Sequence, residues 1–107
     1  MGLLLATLMP PAFADLSRLR LPEGFSIRTL TAQAPEARQM VLSADGTLFV
    51  GTRRQGDVYA IPNALTVQPP MVLTLASGLK LPNGVALDGA DLYVAEVNRI
   101  LRFPNIQ

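Results

Sequence analysis

The chain has 107 residues, 50% of them hydrophobic, and a formal net charge of +1 from nine Lys+Arg against eight Asp+Glu. That balance gives no basic footprint for nucleic acid and no acidic tail. Cysteine and histidine are both absent, which excludes a disulfide, a thiolate nucleophile, a Cys/His zinc site and an imidazole base from anything this chain builds alone.

The opening "MGLLLATLMPPAFA" has the parts of an export signal. Gly2 to Met9 is a short apolar core, Pro10-Pro11 breaks a helix, and Ala12-Phe13-Ala14 has the small-x-small form of a cleavage site. Eight apolar residues are too few for a bilayer, which needs about 20, so no membrane span is expected. No Lys or Arg precedes the apolar core; the amino terminus alone supplies the positive charge, or residues upstream do. Residues 1–14 are therefore expected to be a signal peptide, with cleavage before Asp15 and a periplasmic or extracellular destination. The alternative is an N-terminal helix or strand buried in the fold.

After the leader, Phe25 to Leu30 has the β-prone composition of a strand. A pattern then appears twice: "RQMVLSADGTLFVGTRRQGDVYAI" from Arg38 and "LPNGVALDGADLYVAEVNRILRF" from Leu81. Leu48-Phe49-Val50 matches Leu92-Tyr93-Val94 at a spacing of 44, Met40-Val41-Leu42 matches Val85-Ala86-Leu87 at 45, and Val58-Tyr59-Ala60-Ile61 matches Ile100-Leu101-Arg102-Phe103 at 42. Periods of about 40 to 50 residues include propeller blades and helical arrays. The turns decide between them. Asp45-Gly46 and Asp88-Gly89 each sit between short β-prone runs, and Asp-Gly is a strong hairpin signal because glycine accepts positive φ. No window in the repeats holds apolar residues at helical spacing for long.

The expected strands of the first copy are Met40–Leu42, Leu48–Thr52, Val58–Ile61 and Met71–Leu75, with "PNALTVQPP" as a Pro-rich surface loop. This predicts an all-β fold: a propeller domain over 15–107, with one blade at about 25–75 and part of a second at about 82–107. A propeller closes with at least four blades, so the two copies are expected to belong to a longer protein. A small two-sheet sandwich is the other architecture open.

Alternating strands sort the loops by end. Arg38-Gln39 and Pro82-Asn83 lead into the innermost strands at one end, and Arg53 to Gly56 and Val97-Asn98 turn at that same end. Asp45-Gly46 and Asp88-Gly89 lie at the other. Asn83 is the foremost candidate contact: a two-way hydrogen-bonding side chain at the channel mouth, held between Pro82 and Gly84. It serves a ligand or caps a tight turn. Arg38 and Gln39 are the corresponding polar pair of the first copy, facing a ligand or solvent. Glu96 stands beside Asn98 and Arg99, where it pairs locally or faces the site. Arg53-Arg54 attracts an anion or is a charged hairpin tip. Asn98 is expected to be left-handed, a conformation that Asn tolerates.

"LPEGFSIRTLT", "ARQMVLSADGTLFVGTR", "GDVYAI", "ASGLKLPNGVAL" and "DLYVAEVNRILRF" together resemble the opening of the soluble quinoprotein glucose/sorbosone dehydrogenase family, especially its sorbosone dehydrogenase branch, from Leu21 to Gln107. NHL-type and gluconolactonase-type propellers share the "P-x-G-hydrophobic" strand start. The resemblance implies a six-bladed propeller in an exported oxidoreductase. Such an enzyme holds pyrroloquinoline quinone (PQQ) over the channel with calcium nearby, oxidises a sugar or aldehyde, and passes electrons to a further acceptor. It implies a histidine base and hydride transfer to the quinone. Asn83-Gly84 matches the family's Asn-Gly bordering the substrate. Pro82 stands where the glucose-oxidising branch has a glutamine, which points away from glucose. The base, the quinone contacts and the calcium ligands belong to later blades, so no catalytic or metal-ligating residue is expected in this chain, and it is expected to be inactive alone. Two other functions remain open on the same fold, which hosts many activities. One is a non-catalytic binding module for a protein or glycan. The other is a lactonase-type metal-dependent propeller with Glu96 among its acidic ligands.

Overall fold

Among the described residues, seven β-strands form two antiparallel sheets. The computed structural model describes residues 16–106, and the expected signal peptide, 1–14, lies outside them. Sheet 1 is the meander β1 (Ala37–Leu42), β2 (Leu48–Thr52), β3 (Val58–Ile61) and β4 (Leu73–Ala76). Sheet 2 is the meander β5 (Gly84–Asp88), β6 (Asp91–Ala95) and β7 (Ile100–Phe103). The one helical element among the described residues is a 3-10 turn, Leu16–Arg18. No helix among them is long and apolar enough to cross a membrane.

The strands fall where the β-prone runs lie, with three differences. The first strand starts at Ala37 rather than Met40, because Ala37 pairs with Thr52 across a bulge. The fourth strand starts at Leu73 rather than Met71, because Pro69-Pro70 has no N–H for the ladder and the chain joins the sheet only beyond it. Phe25 to Leu30 is not a strand. Phe25 and Ile27 are exposed, and only Leu30, with Ala34, packs on sheet 1. β-propensity expresses packing against neighbours, and this segment has no partner strand among the described residues.

The two sheets stack in the same sense. Phe49, Val58 and Ala60 on one face of sheet 1 meet Leu92 and Val94 of sheet 2, with Val41, Val85, Leu87, Leu101 and Phe103 around them. Because strand side chains alternate, each sheet has a front and a back, and the repeat shows which is which. Phe49 corresponds to Tyr93, Val58 to Ile100 and Val41 to Ala86, yet only the first member of each pair lies in this core. The front of sheet 1 therefore packs on the back of sheet 2. The back of sheet 1 carries Val50, Tyr59, Ile61 and Ala64, under Leu30 and Ala34. The front of sheet 2 has no such cover among the described residues, and Ile100 there is 72% exposed.

Backbone irregularities repeat as faithfully as the strands do. Gly46 and Gly89 are left-handed in the first hairpin of each sheet, Asn63 and Asn105 after the third strand, and Glu36 and Leu81 before the first. The Ala64 N–H donates to the Gly46 carbonyl at 3.1 Å, and the Ile106 N–H to the Ala90 carbonyl at 2.7 Å. Pro62-Asn63 and Pro104-Asn105, at a spacing of 42, thus hook each third strand back onto its first hairpin. Asn98 is not left-handed. Its turn closes instead through the Glu96 N–H donating to the Arg99 carbonyl at 2.9 Å.

Candidate functional site

Arg38 and Gln39 occupy a bulge. Ala37 pairs with Thr52 and Met40 with Val50, so these two residues share the space opposite Gly51. A bulge re-aims side chains, and here it sends its two residues to different hollows. Arg38 lines a cleft of about 290 Å³ with Glu36, Ala37, Arg53 and Arg54. Gln39 turns toward sheet 2, where its Oε1 lies close to Gly84. It lines a largely apolar groove of about 280 Å³ with Gly84, Ala86, Tyr93, Ala95 and Ile100.

Gly51 explains how the sheets come so close. A Cβ on it would overlap the carbonyl oxygens of Pro82 and Asn83, so the segment leading into β5 lies directly on the β2 backbone. The Thr52 N–H donates to the Pro82 carbonyl at 3.1 Å. Pro82 is buried, and the Asn83 N–H donates across it to the Leu81 carbonyl at 2.7 Å. That is a three-residue turn, for which proline's fixed φ is suited. Asn83 is half-buried, and its side-chain oxygen Oδ1 is buried with no hydrogen-bond partner among the described residues. Buried polar atoms of this kind are rare, and each calls for an explanation.

Glu96 lies apart from Asn83 and Gln39. Its Oε1 accepts from Arg99 Nε, and its Oε2 accepts from the Lys80 backbone N–H at 2.7 Å. These bonds, the Lys80 one foremost, hold its carboxyl below the ordinary glutamate range. With Lys80, Asn98 and Arg99 it lines a third hollow of about 230 Å³. Its role here is to clasp the β6–β7 turn to the segment leading into β5.

All five candidate residues thus lie at one end of the two sheets, but in separate places: Gln39 with Gly84, Arg38 with Arg53 and Arg54, Glu96 with Lys80 and Arg99, and Asn83 at the seam. Sequence reasoning missed Gly51, Glu36 and Lys80. Gly51 had a signal, because a lone glycine inside a β-prone run marks a bulge or a close backbone approach. The other two act through long-range backbone contacts and had none.

At the opposite end, Asp45 accepts from the Ser43 hydroxyl and from the Thr47 N–H. Asp91 accepts from the Asn105 N–H and Arg102 Nε, each at 3.0 Å. The Ser43 bond chiefly lowers the Asp45 pKa, and the Asn105 bond that of Asp91. Burial, then the neighbouring Asp57 charge, pushes the Tyr59 phenol up. Asp45, Asp91 and Glu96 are therefore poor proton acceptors near neutrality, where general-base work needs a matched pKa. Among the described residues no three His, Cys, Asp or Glu side chains gather to hold a metal. What the end carrying Arg38, Arg53, Arg54 and Asn83 offers chemically is hydrogen bonding and positive charge.

Comparison of the chain with protein-family models, curated proteins and solved structures returned no match.

Proposed function

We propose that the two sheets are the opening blades of a propeller in an exported, PQQ-dependent sugar or aldehyde dehydrogenase of the sorbosone type. In that reading residues 1–14 are the export signal, and the Asn83-Gly84 seam with Gln39 forms one edge of the substrate mouth. The observation that supports it most is the same-sense stacking. A repeat whose front packs on the next back leaves the front of its last sheet open, and a ring covers it with the back of the first. The unpartnered Oδ1 of Asn83 adds an acceptor at the end where such a ring places its ligand.

The described residues do not by themselves fit calcium, since no three acidic or imidazole side chains converge, and the chain has no histidine. No step of the oxidation is assigned to them. The cofactor contacts, the base and the electron-acceptor site fall to residues outside this chain. The lowered pKa values of Asp45, Asp91 and Glu96 favour, as a second reading, a binding propeller that presents the same end to a ligand without chemistry.

The test is to express the 107-residue chain and a longer polypeptide carrying the further repeats. Both are given PQQ, calcium and an artificial electron acceptor, with aldoses and sorbosone as substrates. Turnover by the longer polypeptide alone is expected. A longer reading frame without further repeats or a histidine, or one that binds but never turns over, would sink the dehydrogenase reading. Mass spectrometry of exported material should find Asp15 as the first residue; only intact protein in the cytosol would remove the export signal.

A further inference from the structure

Three arginines line one cleft at a corner of sheet 1, and no carboxylate among the described residues is paired to them. Arg38 comes from the bulge in β1, and Arg53 and Arg54 from the turn after β2. With Glu36 and Ala37 they line one cleft of about 290 Å³. Arg38, Arg53 and Arg54 make no ion pair or side-chain hydrogen bond among the described residues.

The nearby carboxylates accept from neutral donors and make no ion pair with the arginines among the described residues. Glu36 Oε1 accepts from the Gln55 backbone N–H at 2.8 Å. Asp57 Oδ2 accepts from Gln55 Nε2 at 3.2 Å and from the Tyr59 hydroxyl at 3.3 Å.

The turn that carries two of the arginines is held from both sides. Thr52 Oγ1 donates to the Asp57 carbonyl at 2.7 Å and accepts from the Asp57 N–H at 3.0 Å. Gly56 is buried and left-handed, and its carbonyl accepts from the Leu79 N–H at 3.0 Å. Three arginines against the one carboxylate of Glu36, on a fixed scaffold, leave the lining net positive and arranged for an anion from outside.

We propose that this cleft binds a small, multiply charged oxyanion, the class that includes phosphate esters and di- or tricarboxylates. The guanidinium fork matches two oxygens of a carboxylate or phosphate at once, and three forks call for a ligand with more than one negative charge. The volume lies at the lower end of the range of about 300–1,000 Å³ for small-ligand clefts, which suits a compact anion rather than a polymer. The near-neutral chain, +1 overall, has no extended basic stripe of the kind nucleic acid needs. The proposal stands on sheet 1 alone and is independent of the dehydrogenase reading.

The experiment titrates the full chain with inorganic pyrophosphate and, separately, citrate, by calorimetry, with sodium chloride at matched ionic strength as the reference. Backbone amide shifts locate any binding. One-to-one, saturable uptake is expected, with shifts at Arg38, Arg53, Arg54 and Gln55. Arg38→Gln and Arg54→Gln should each weaken it about tenfold or more, the usual worth of a charge-assisted hydrogen bond. Arg102→Gln, which removes the same charge at the opposite end, should leave it unchanged. Binding of both probes supports a site that reads charge and oxygen geometry alone. Binding of one names the anion as phosphate-like or polycarboxylate. No saturable uptake beyond chloride, or equal loss in Arg102→Gln, overturns the proposal.

Discussion

The corners where β1 and β5 begin are tied in a similar way and differ in charge and in the bulge, which only β1 has. In both, a carboxylate ties the segment leading into the first strand to the turn after the second, but the two reach across in opposite directions. In sheet 1 Glu36, before β1, receives the N–H of Gln55 in the turn. In sheet 2 Glu96, in the turn, receives the N–H of Lys80 before β5. Glu36 makes no ion pair among the described residues, and Arg38, Arg53 and Arg54 stay bare. Glu96 also holds Arg99, so that corner is largely neutralised. Two copies of a repeat can thus tie the same corner with different carboxylates and leave one open to an anion and the other closed.

The largest expected effect compares equivalent aromatic positions. Phe49 is buried between the sheets, while Tyr93 stands on the uncovered front of sheet 2. Phe49→Ala should cost about 3–5 kcal/mol, the usual range for a buried Phe, and Tyr93→Ala far less, read from denaturant melts of each variant. Equal losses would show that the front of sheet 2 is also buried in solution. The same front should drive association, because exposed apolar faces are adhesive. Ile100→Glu should therefore lower the sedimentation-average mass, and an unchanged mass would place the contact elsewhere.

Next comes the seam. Gly51→Ala puts a Cβ into the Pro82 and Asn83 carbonyls, which are backbone and cannot swing aside. Gly84→Ala meets only the Ala95 Cβ at 3.4 Å and Gln39 Oε1 at 3.5 Å. A loss of about 1–3 kcal/mol is expected at Gly51, as for other overpacked sites, with little change at Gly84. Similar melting temperatures for the two variants would mean the sheets are not joined at Gly51.

This contrast also shows which features were legible in the sequence. The Asp-Gly turns, strand order and repeat period are local signals, and each strand fell on its β-prone run. The bulge at Arg38-Gln39 was not, because it exists only against the single residue Gly51 on the neighbouring strand. Nor was the division of the five candidate residues among separate hollows. Glu36 and Gln55 are 19 residues apart, and no spacing rule links them. Phe25 to Leu30 misled because its composition suits a strand while no partner lies alongside.

A smaller effect is expected from acid. Asp45, Asp91 and Glu96 all have lowered pKa values. A carboxyl that is more acidic folded than unfolded contributes stability that is complete above its unfolded pKa, about 4. That contribution is lost as the pH falls through the folded value. Melting temperature should therefore decline below about pH 4, and Asp91→Asn should flatten that decline. An acid limb unaltered in Asp91→Asn would assign the loss to other groups.

The subtlest expectation is that the closed corner can be opened. In Glu96→Gln the amide oxygen can still accept the Lys80 N–H, so the turn keeps its clasp while the negative charge goes. Arg99 then loses its partner, and Lys80, Asn98 and Arg99 line a hollow of about 230 Å³ with two uncompensated cations. Its shape should change little, because the Lys80 N–H keeps its acceptor and Arg99, which loses its partner, has a side chain that is 62% exposed. Pyrophosphate should then shift the amides of Lys80 and Arg99, which stay silent in the parent protein. The uptake should be weaker than at Arg38, Arg53 and Arg54, because two cations replace three and a lysine ammonium lacks the paired fork of a guanidinium. If Lys80 and Arg99 remain silent in Glu96→Gln while the three-arginine corner responds, neutralisation by Glu96 is not what separates the two corners. The geometry of the bulge, which sheet 2 lacks, would then be the distinguishing element.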